Sequence, residues 1–213
     1  VKHGSLVLIT STYNQYGRQT QLNDLNTGIT NYNYNAFGQL LSQTDANNNT
    51  FTMEYDGLQR IKKRTGPEGI TTYTYYFEND GICTKVNNNL TEIIDFMGNK
   101  NQYNYDNYNR LVDKKQTIDN VDYNSNYTYD IYGNLIKEIK PFGLEVQYQY
   151  DANGILKKVY NNNTNFFTAS ALNGLGQYKQ YYLGNGALTQ NTYYYGMPTN
   201  FQTPGIQDLT LQY

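Results

Sequence analysis

Tryptophan is absent from this chain of 213 residues, and cysteine and histidine each occur once. A single Cys83 excludes an intrachain disulfide and reads as a small buried or half-buried side chain. The lone His3 lies near the N-terminus, so no Ser/His/Asp set can form in the body of the chain and Cys83 has no adjacent base. No Cys/His spacing suits zinc, and no cofactor is expected. Charge is scarce too: Lys and Arg number 16, Asp and Glu 18, for a net −2. The cluster Lys62, Lys63 and Arg64 is short and reads as a solvated strand end. Nucleic-acid binding needs a concentrated basic footprint, so that partner class is excluded. No apolar run is long enough to span a membrane as a helix. Val, Ile and Leu are sparse, which leaves little for a thick apolar core.

What is abundant is tyrosine, 25 residues, with 8 Phe and a background of Asn, Thr and Gly. That mixture favours strands and turns. The tyrosines recur with a turn signal behind them: Tyr13 with Gly17, Tyr34 with Gly38, Tyr55-Asp56 with Gln59, Tyr105-Asp106 with Asn109, Tyr129-Asp130 with Gly133, and Tyr150-Asp151 with Gly154. Tyr13, Tyr34 and Tyr55 are spaced by 21 residues, as are Tyr129 and Tyr150. The step of 24 from Tyr105 to Tyr129 reads as a unit with a longer loop. Two units fill the interval from Tyr55 to Tyr105, one weakened around Tyr76 and one with a loop lengthened around Asn87 to Asn89. A second turn, at Asp45 to Asn49 and at Asp95 to Asn99, lies between the tyrosine turns. Each unit therefore has two strands and two turns. Runs such as Val146-Gln-Tyr148-Gln-Tyr150 alternate with period two, as half-buried strands do. The only short helix candidate is Thr168 to Leu172.

Each motif position has a mechanical reason. Asp or Asn after the Tyr accepts from backbone amides and starts the turn. Gly takes the positive φ that returns the chain to the ladder. Asn109 is the next-best residue there, whereas Gln59 is poor, so its turn is expected to differ. Each Tyr ends its strand, and tyrosines on neighbouring hairpins are expected to pair ring to ring, at roughly 0.2–1 kcal/mol per pair. Their hydroxyls are expected to stay at water. The acids Glu92, Asp95, Asp119 and Asp122 read as turn and loop residues.

Tyr129-Asp130-Ile-Tyr-Gly133-Asn134-Leu135 and its five companions resemble the YD (Rhs) repeat family. The later stretches Leu183-Gly184-Asn185-Gly186, Tyr193-Tyr194-Tyr195 and Thr203-Pro-Gly205-Ile206-Gln207-Asp208-Leu209 are similar to segments of Rhs cores, Tc-toxin shell components and teneurins. The resemblance implies an all-β fold: tandem β-hairpin repeats forming a curved antiparallel sheet, an arc of a spiral hollow shell. It covers 1–213, with clear repeats at 13–160 and a more divergent segment at 161–213. The composition agrees, because a shell wall wet on both faces cannot be greasy on either.

No catalytic constellation is present, so an enzyme is not expected. The resemblance implies a structural segment of a large secreted or surface bacterial protein, whose shell can enclose a C-terminal toxin domain. The expected partners are the rest of that shell and such a cargo. The alternative is a carbohydrate- or cell-wall-binding adhesion module, with a glycan as partner, since tyrosine-rich surfaces stack on sugar rings. The chain opens without Met and stops at Tyr213 in a strand-like run, and is read as a piece of a longer protein. The runs Ser5 to Thr10 and Leu209 to Tyr213 lack the Lys, Pro or bulge that blunts a strand edge, so self-association through edges is expected.

Overall fold

The computed structural model describes residues 2–3, 6–79 and 84–212. Cys83, Ser5 and Tyr213 lie outside the described residues, and the expectations attached to them are not addressed by the structure. The fold is all-β and antiparallel. The chain divides into two compact units, one comprising Val1–Asn109 with Lys115–Asp122, the other Arg110–Lys114 with Tyr123–Tyr213.

In the first unit, strands follow one another as a meander: Ile9–Tyr13, Gln19–Asp24, Gly28–Tyr34, Leu40–Thr44, Thr50–Tyr55, Ile61–Gly66, Gly69–Asn79, Thr84–Ile94 and Lys100–Tyr105. Each pairs antiparallel with the next. The second unit continues in the same manner through Val121–Tyr129, Leu135–Ile139, Glu145–Tyr150, Leu156–Tyr160, Asn165–Leu172, Tyr178–Leu183, Leu188–Tyr194, Met197–Thr203 and Gln207–Thr210.

Tyr13, Tyr34, Tyr55, Tyr105, Tyr129 and Tyr150 each end a strand. At five of them the ladder register shifts by one residue just before the Tyr, so that Tyr34 faces Leu40 and Tyr150 faces Leu156. The shift is the imprint of the turn that follows, a reversal closed by one residue in the left-handed region, which adds one residue to one side of the hairpin. Gly133 has φ 90° and Gly154 has φ 77°. Gln59, expected to break the pattern, does not: its φ is 65°, and Asn109 takes 61° in the same place. The closing bonds of the Gln59 turn hold both residues there, since Gln59 N–H donates to Asp56 C=O and Asp56 N–H to Arg60 C=O. The turn's hydrogen bonds therefore override the intrinsic preference of the side chain.

Other local expectations are corrected. Thr168 to Leu172 is not helical but lies in the Asn165–Leu172 strand, whose residues pair with Tyr178–Leu183. Among the described residues the one helical element is a single 3-10 turn at Pro141–Gly143. Asn87 to Asn89 are not a loop. They lie in the Thr84–Ile94 strand, whose register against Gly69–Asn79 slips between Val86 and Leu90. The extra length before Tyr129 likewise goes into strands, Leu111–Ile118 and Val121–Tyr129, separated by Asp119 and Asn120 at φ 50° and 64°. Two successive left-handed residues suit a tight two-residue hairpin. Glu92 and Asp122 are strand residues, not loop residues. Glu92 accepts from Gln102, and Asp122 accepts from Thr117 and Lys115. The Lys62–Arg64 cluster is neutralised locally, with both lysines against Glu54 and Arg64 against Glu68.

The core is thin. Among the described residues the buried apolar side chains are Val146 and Ala169, and no large side chain is fully buried. Three further buried residues, Thr189, Asn191 and Thr203, are polar, and the two threonine hydroxyls bond each other at 2.8 Å. Strands such as Gly28–Tyr34 and Thr50–Tyr55 alternate half-buried with exposed residues along their whole length. With so little apolar burial, stability must come from backbone geometry and from polar contacts between repeats. The left-handed position then has a measurable cost for a side chain, about 1–2 kcal/mol. Gln59→Gly is expected to raise the denaturation midpoint by an amount equivalent to about 1 kcal/mol. Gly154→Val should lower the midpoint more than Gly154→Asn, and equal midpoints for those two variants would contradict this account.

Candidate functional site

The recurring turn is the one site the chain builds repeatedly. It is numbered here from the Asp or Asn that follows the strand-ending residue, so that position four is Gly or its substitute. In the Asp130 turn, the N–H of position one donates to the C=O of position five, Asn134, and the N–H of Gly133 returns to Asp130 C=O. The Asp130 carboxylate oxygen Oδ1 accepts from the N–H groups of positions three and five, Tyr132 and Asn134. The same four bonds recur at Asn14, Asp45, Asp56, Asp95, Asp151 and Asn173. The second carboxylate oxygen is taken by the side chain at position five: Asn49 on Asp45, Asn99 on Asp95, Asn134 on Asp130, and Arg60 on Asp56 at 2.7 Å. These contacts lower the pKa values of the turn carboxylates. Asp45, Asp95 and Asp130 are held below the ordinary carboxylate range chiefly by the position-five amide. At Asp56 burial pushes the other way, and the bonds from Arg60 and Leu58 outweigh it.

Tyr13 is exposed, but from Tyr34 onward the tyrosine that ends a strand before a turn has a second task. Its hydroxyl does not stay at water. It donates to a backbone carbonyl of the strand beside it, at the first residue of that strand for Tyr34 to Gln19, Tyr55 to Leu40, Tyr129 to Leu111 and Tyr150 to Leu135, and within the Thr84–Ile94 strand for Tyr105 to Leu90, all at 2.8–2.9 Å. In most of these, the accepting carbonyl lies two residues beyond position four of the preceding turn. The weakened unit placed at Tyr76 is served by Tyr75, which donates to Ile61. In the divergent segment the Asn173 turn is preceded by Leu172, which has no hydroxyl. Tyr178, after that turn, reaches back to Leu156 instead, and Tyr193 then reaches Tyr178. The coupling expected from ring-to-ring pairs is thus carried by a hydroxyl-to-backbone bond. The sequence signal for it was present, since the motif tolerates Asn for Asp and Gln for Gly but keeps Tyr. Burial raises the hydroxyl pKa values of Tyr75, Tyr105, Tyr150 and Tyr178.

Position five supplies a third link, which sequence reasoning missed. Arg18 Nη1 donates to Asn35 C=O, Gln39 Nε2 to Gln59 C=O, Arg110 Nη1 to Asp130 C=O, and Gln177 Nε2 to Gly196 C=O. Each spans from one turn to the next along the same end of the sheet. The Arg110 guanidinium also lies over the Tyr129 ring at 4.8 Å, and that of Arg60 over Tyr75 at 4.2 Å. Where position five is too short to reach, a cleft opens. One of about 690 Å³, within the second unit, is lined by residues of the Asp130 and Asp151 turns with Tyr148. Tyr148 donates to Glu138, and burial together with that carboxylate pushes its hydroxyl pKa up to about 12. At position three the side chains point outward: Tyr16, Phe37, Leu58, Tyr108 and Tyr132 are all more than half exposed.

Comparisons with known proteins agree with this geometry. The RHS Repeat family model matches residues 34–72, one full repeat with its flanking turns. The solved structure of TcdB2-TccC3 without its hypervariable C-terminal region superposes with a TM-score of 0.75 at 15% identity, over 97% of this chain and 12% of that one. The Photorhabdus luminescens Tc holotoxin pore matches with a TM-score of 0.61 at 14% identity, over 96% of this chain and 13% of that one. The chain thus spans about an eighth of the length of these structural relatives. No curated protein sequence matches. Residues 34–72 thus match the RHS Repeat family, and the chain as a whole shares the antiparallel fold of the Tc-toxin structures it resembles.

Two outcomes test the turn and the tyrosine bond. Tyr150→Phe removes one hydroxyl and strands Leu135 C=O, and is expected to cost about 1–2 kcal/mol. Tyr132→Phe, on an exposed ring, should cost nothing measurable, and equal losses in the two variants would argue against the tyrosine bond. For pH, the folded carboxylates at Asp45, Asp56, Asp95 and Asp130 lie below their unfolded values. The stability they add is therefore complete above about pH 4 and is lost as pH falls through the folded values. Asp130→Asn keeps the turn, as Asn14 and Asn173 do, and is expected to show a smaller stability loss between pH 6 and pH 3 in urea melts.

Proposed function

We propose that this chain is a wall segment of a large shell made by a secreted or surface-exposed bacterial YD/Rhs-repeat protein, with the shell enclosing a C-terminal toxin domain. The observation that carries this reading is the tyrosine-to-carbonyl bond made by eight tyrosines from Tyr34 to Tyr193. It joins each repeat to the one before it by a contact that needs no thick core. Such a wall can stay wet on both faces, as a container with an aqueous lumen requires. Repeat-to-repeat coupling of this kind also lets a sheet be extended one unit at a time. Among the described residues no cluster of three His, Cys, Asp or Glu could hold a metal ion, and the carboxylates of the turns are committed to backbone amides. The Tc-toxin likeness supports the container reading through fold.

The test uses the full-length parent. Limited proteolysis should leave the domain that follows the repeats intact while the same domain, expressed alone, is digested. Digestion at equal rates in both would overturn the container reading.

A second reading, adhesion to a carbohydrate or cell wall, is favoured by one observation. The outward rings of Tyr16, Phe37, Tyr108 and Tyr132 occupy the same place in successive turns. Aromatic rings presented this way stack on sugar faces. Saturable binding on a glycan array, lost when these rings are replaced by Ser, would support adhesion over containment.

A further inference from the structure

The cleft between the Asp130 and Asp151 turns differs from its counterparts in one respect. At three other tyrosine-end turns, position five of one turn covers the glycine of the next. A Cβ built on Gly38 would meet the Arg18 guanidinium at 2.5 Å, one on Gly133 would meet Arg110 Nη1 at 3.9 Å, and one on Gly176 would meet Ile155 at 2.9 Å. At Gly154 it would meet nothing within 4 Å. The reason is in the sequence. Position five of the preceding turn is Asn134, whose amide is too short to cross to the next turn and bonds Asp130 Oδ2 of its own turn instead.

The far wall of the cleft is also changed. Position five of the Asp151 turn is Ile155, which offers no hydrogen bond. Asp151 Oδ1 accepts from Asn153 and Ile155 N–H, but among the described residues Asp151 Oδ2 has no hydrogen-bond partner. The charged residues lining the cleft are Asp130 and Asp151, with no Lys or Arg. The floor includes Tyr150, the counterpart of Tyr129, over whose ring the Arg110 guanidinium lies. Asp151 C=O is the counterpart of Asn35 C=O and Asp130 C=O, which accept from Arg18 and Arg110 while also accepting from their own turn glycines.

We propose that this cleft is a guanidinium-binding site, and that its occupant is an arginine side chain of a partner protein. The argument is internal to the chain, since its own arginines occupy the equivalent groove between other turns and show what fits there. A planar cation can lie over the Tyr150 ring and donate an N–H to Asp151 C=O, as Arg110 does at the Tyr129 ring and Asp130 C=O, with the Asp130 and Asp151 carboxylates supplying opposite charge. Stacking combined with donation to a carbonyl favours Arg over Lys, whose ammonium offers no plane. A carboxylate that the other turns satisfy internally is here left to an outside donor. The site does not depend on whether the parent encloses a toxin or adheres to a surface.

The probe is N-acetyl-arginine amide, titrated into the whole chain and followed by backbone amide NMR shifts. Saturable shifts centred on Asp151 and Gly154 are expected, with N-acetyl-lysine amide at least fivefold weaker. Asn134→Arg places the chain's own guanidinium in the groove and should weaken probe binding at least tenfold. Asp151→Asn keeps the turn, as Asn14 and Asn173 do, and should weaken binding severalfold, so the proposal stays testable if Asn134→Arg does not fold. Absence of saturable shifts, equal binding of the lysine probe, or binding unchanged in the folded variants would each overturn it.

Discussion

A tyrosine hydroxyl donating to a backbone carbonyl one repeat away is the contact on which this structure depends. A hairpin alone is marginally stable in water, and among the described residues almost no apolar side chains are buried to hold one hairpin on the next. The hydroxyl solves two problems with one group. It satisfies a carbonyl at the start of a strand, next to the register shift that the turn introduces, and it ties that strand to the end of its neighbour. The ring beneath the hydroxyl half-covers the sheet without making it greasy. Phenylalanine would supply the ring and lose the bond, and a shorter hydroxyl would lose the ring and fall short of the carbonyl.

The turn serves this contact. The backbone reversal places each tyrosine at the last residue of its strand, and the Asp or Asn that follows fixes the reversal through two amides. Position five then acts by its length. Arg and Gln reach the next turn, Asn folds back on its own Asp, and Ile caps a neighbouring glycine. One position of the repeat therefore tunes how tightly adjacent turns are braced, without altering the sheet. Variation there is cheap for the fold, which makes it the natural place for a repeat to acquire a local surface property. The open cleft before Gly154 is the clearest instance.

Much of this fold is legible in the sequence because its signals are local. Tyr-Asp-x-x-Gly at a spacing of 21 names the strand end, the turn and the left-handed residue together, and alternation such as that of Val146–Tyr150 names the strand. What was misread involved longer reach. The Gln59 turn was expected to deviate because side-chain preference was weighed without the closing bonds that force φ 65° on it. Thr168 to Leu172 was a helix candidate because five residues of Thr, Ala, Ser and Leu carry no strand signal, and only pairing with Tyr178–Leu183 decides them. The hydroxyl bond and the position-five brace were missed for a related cause. Both link residues about 15 to 20 apart, and only the strand register, including its shift at each turn, brings those residues together.

Fold and site also differ in how they tolerate change. The fold survives replacement of Gly by Gln or Asn at position four and of Asp by Asn at position one, because each replacement keeps the backbone bonds of the turn. The loss of Tyr at Leu172 is survived by a different route: Tyr178, on the other side of the turn, takes over the reach to Leu156. That substitution shows what is constrained. The repeat requires a hydroxyl at the end of a rigid ring within reach of the preceding strand's first carbonyl, and it does not require that hydroxyl to come from one fixed position. A search for divergent repeats in such chains should therefore follow geometry: a tyrosine within a few residues of either side of each turn, facing the start of the strand before it.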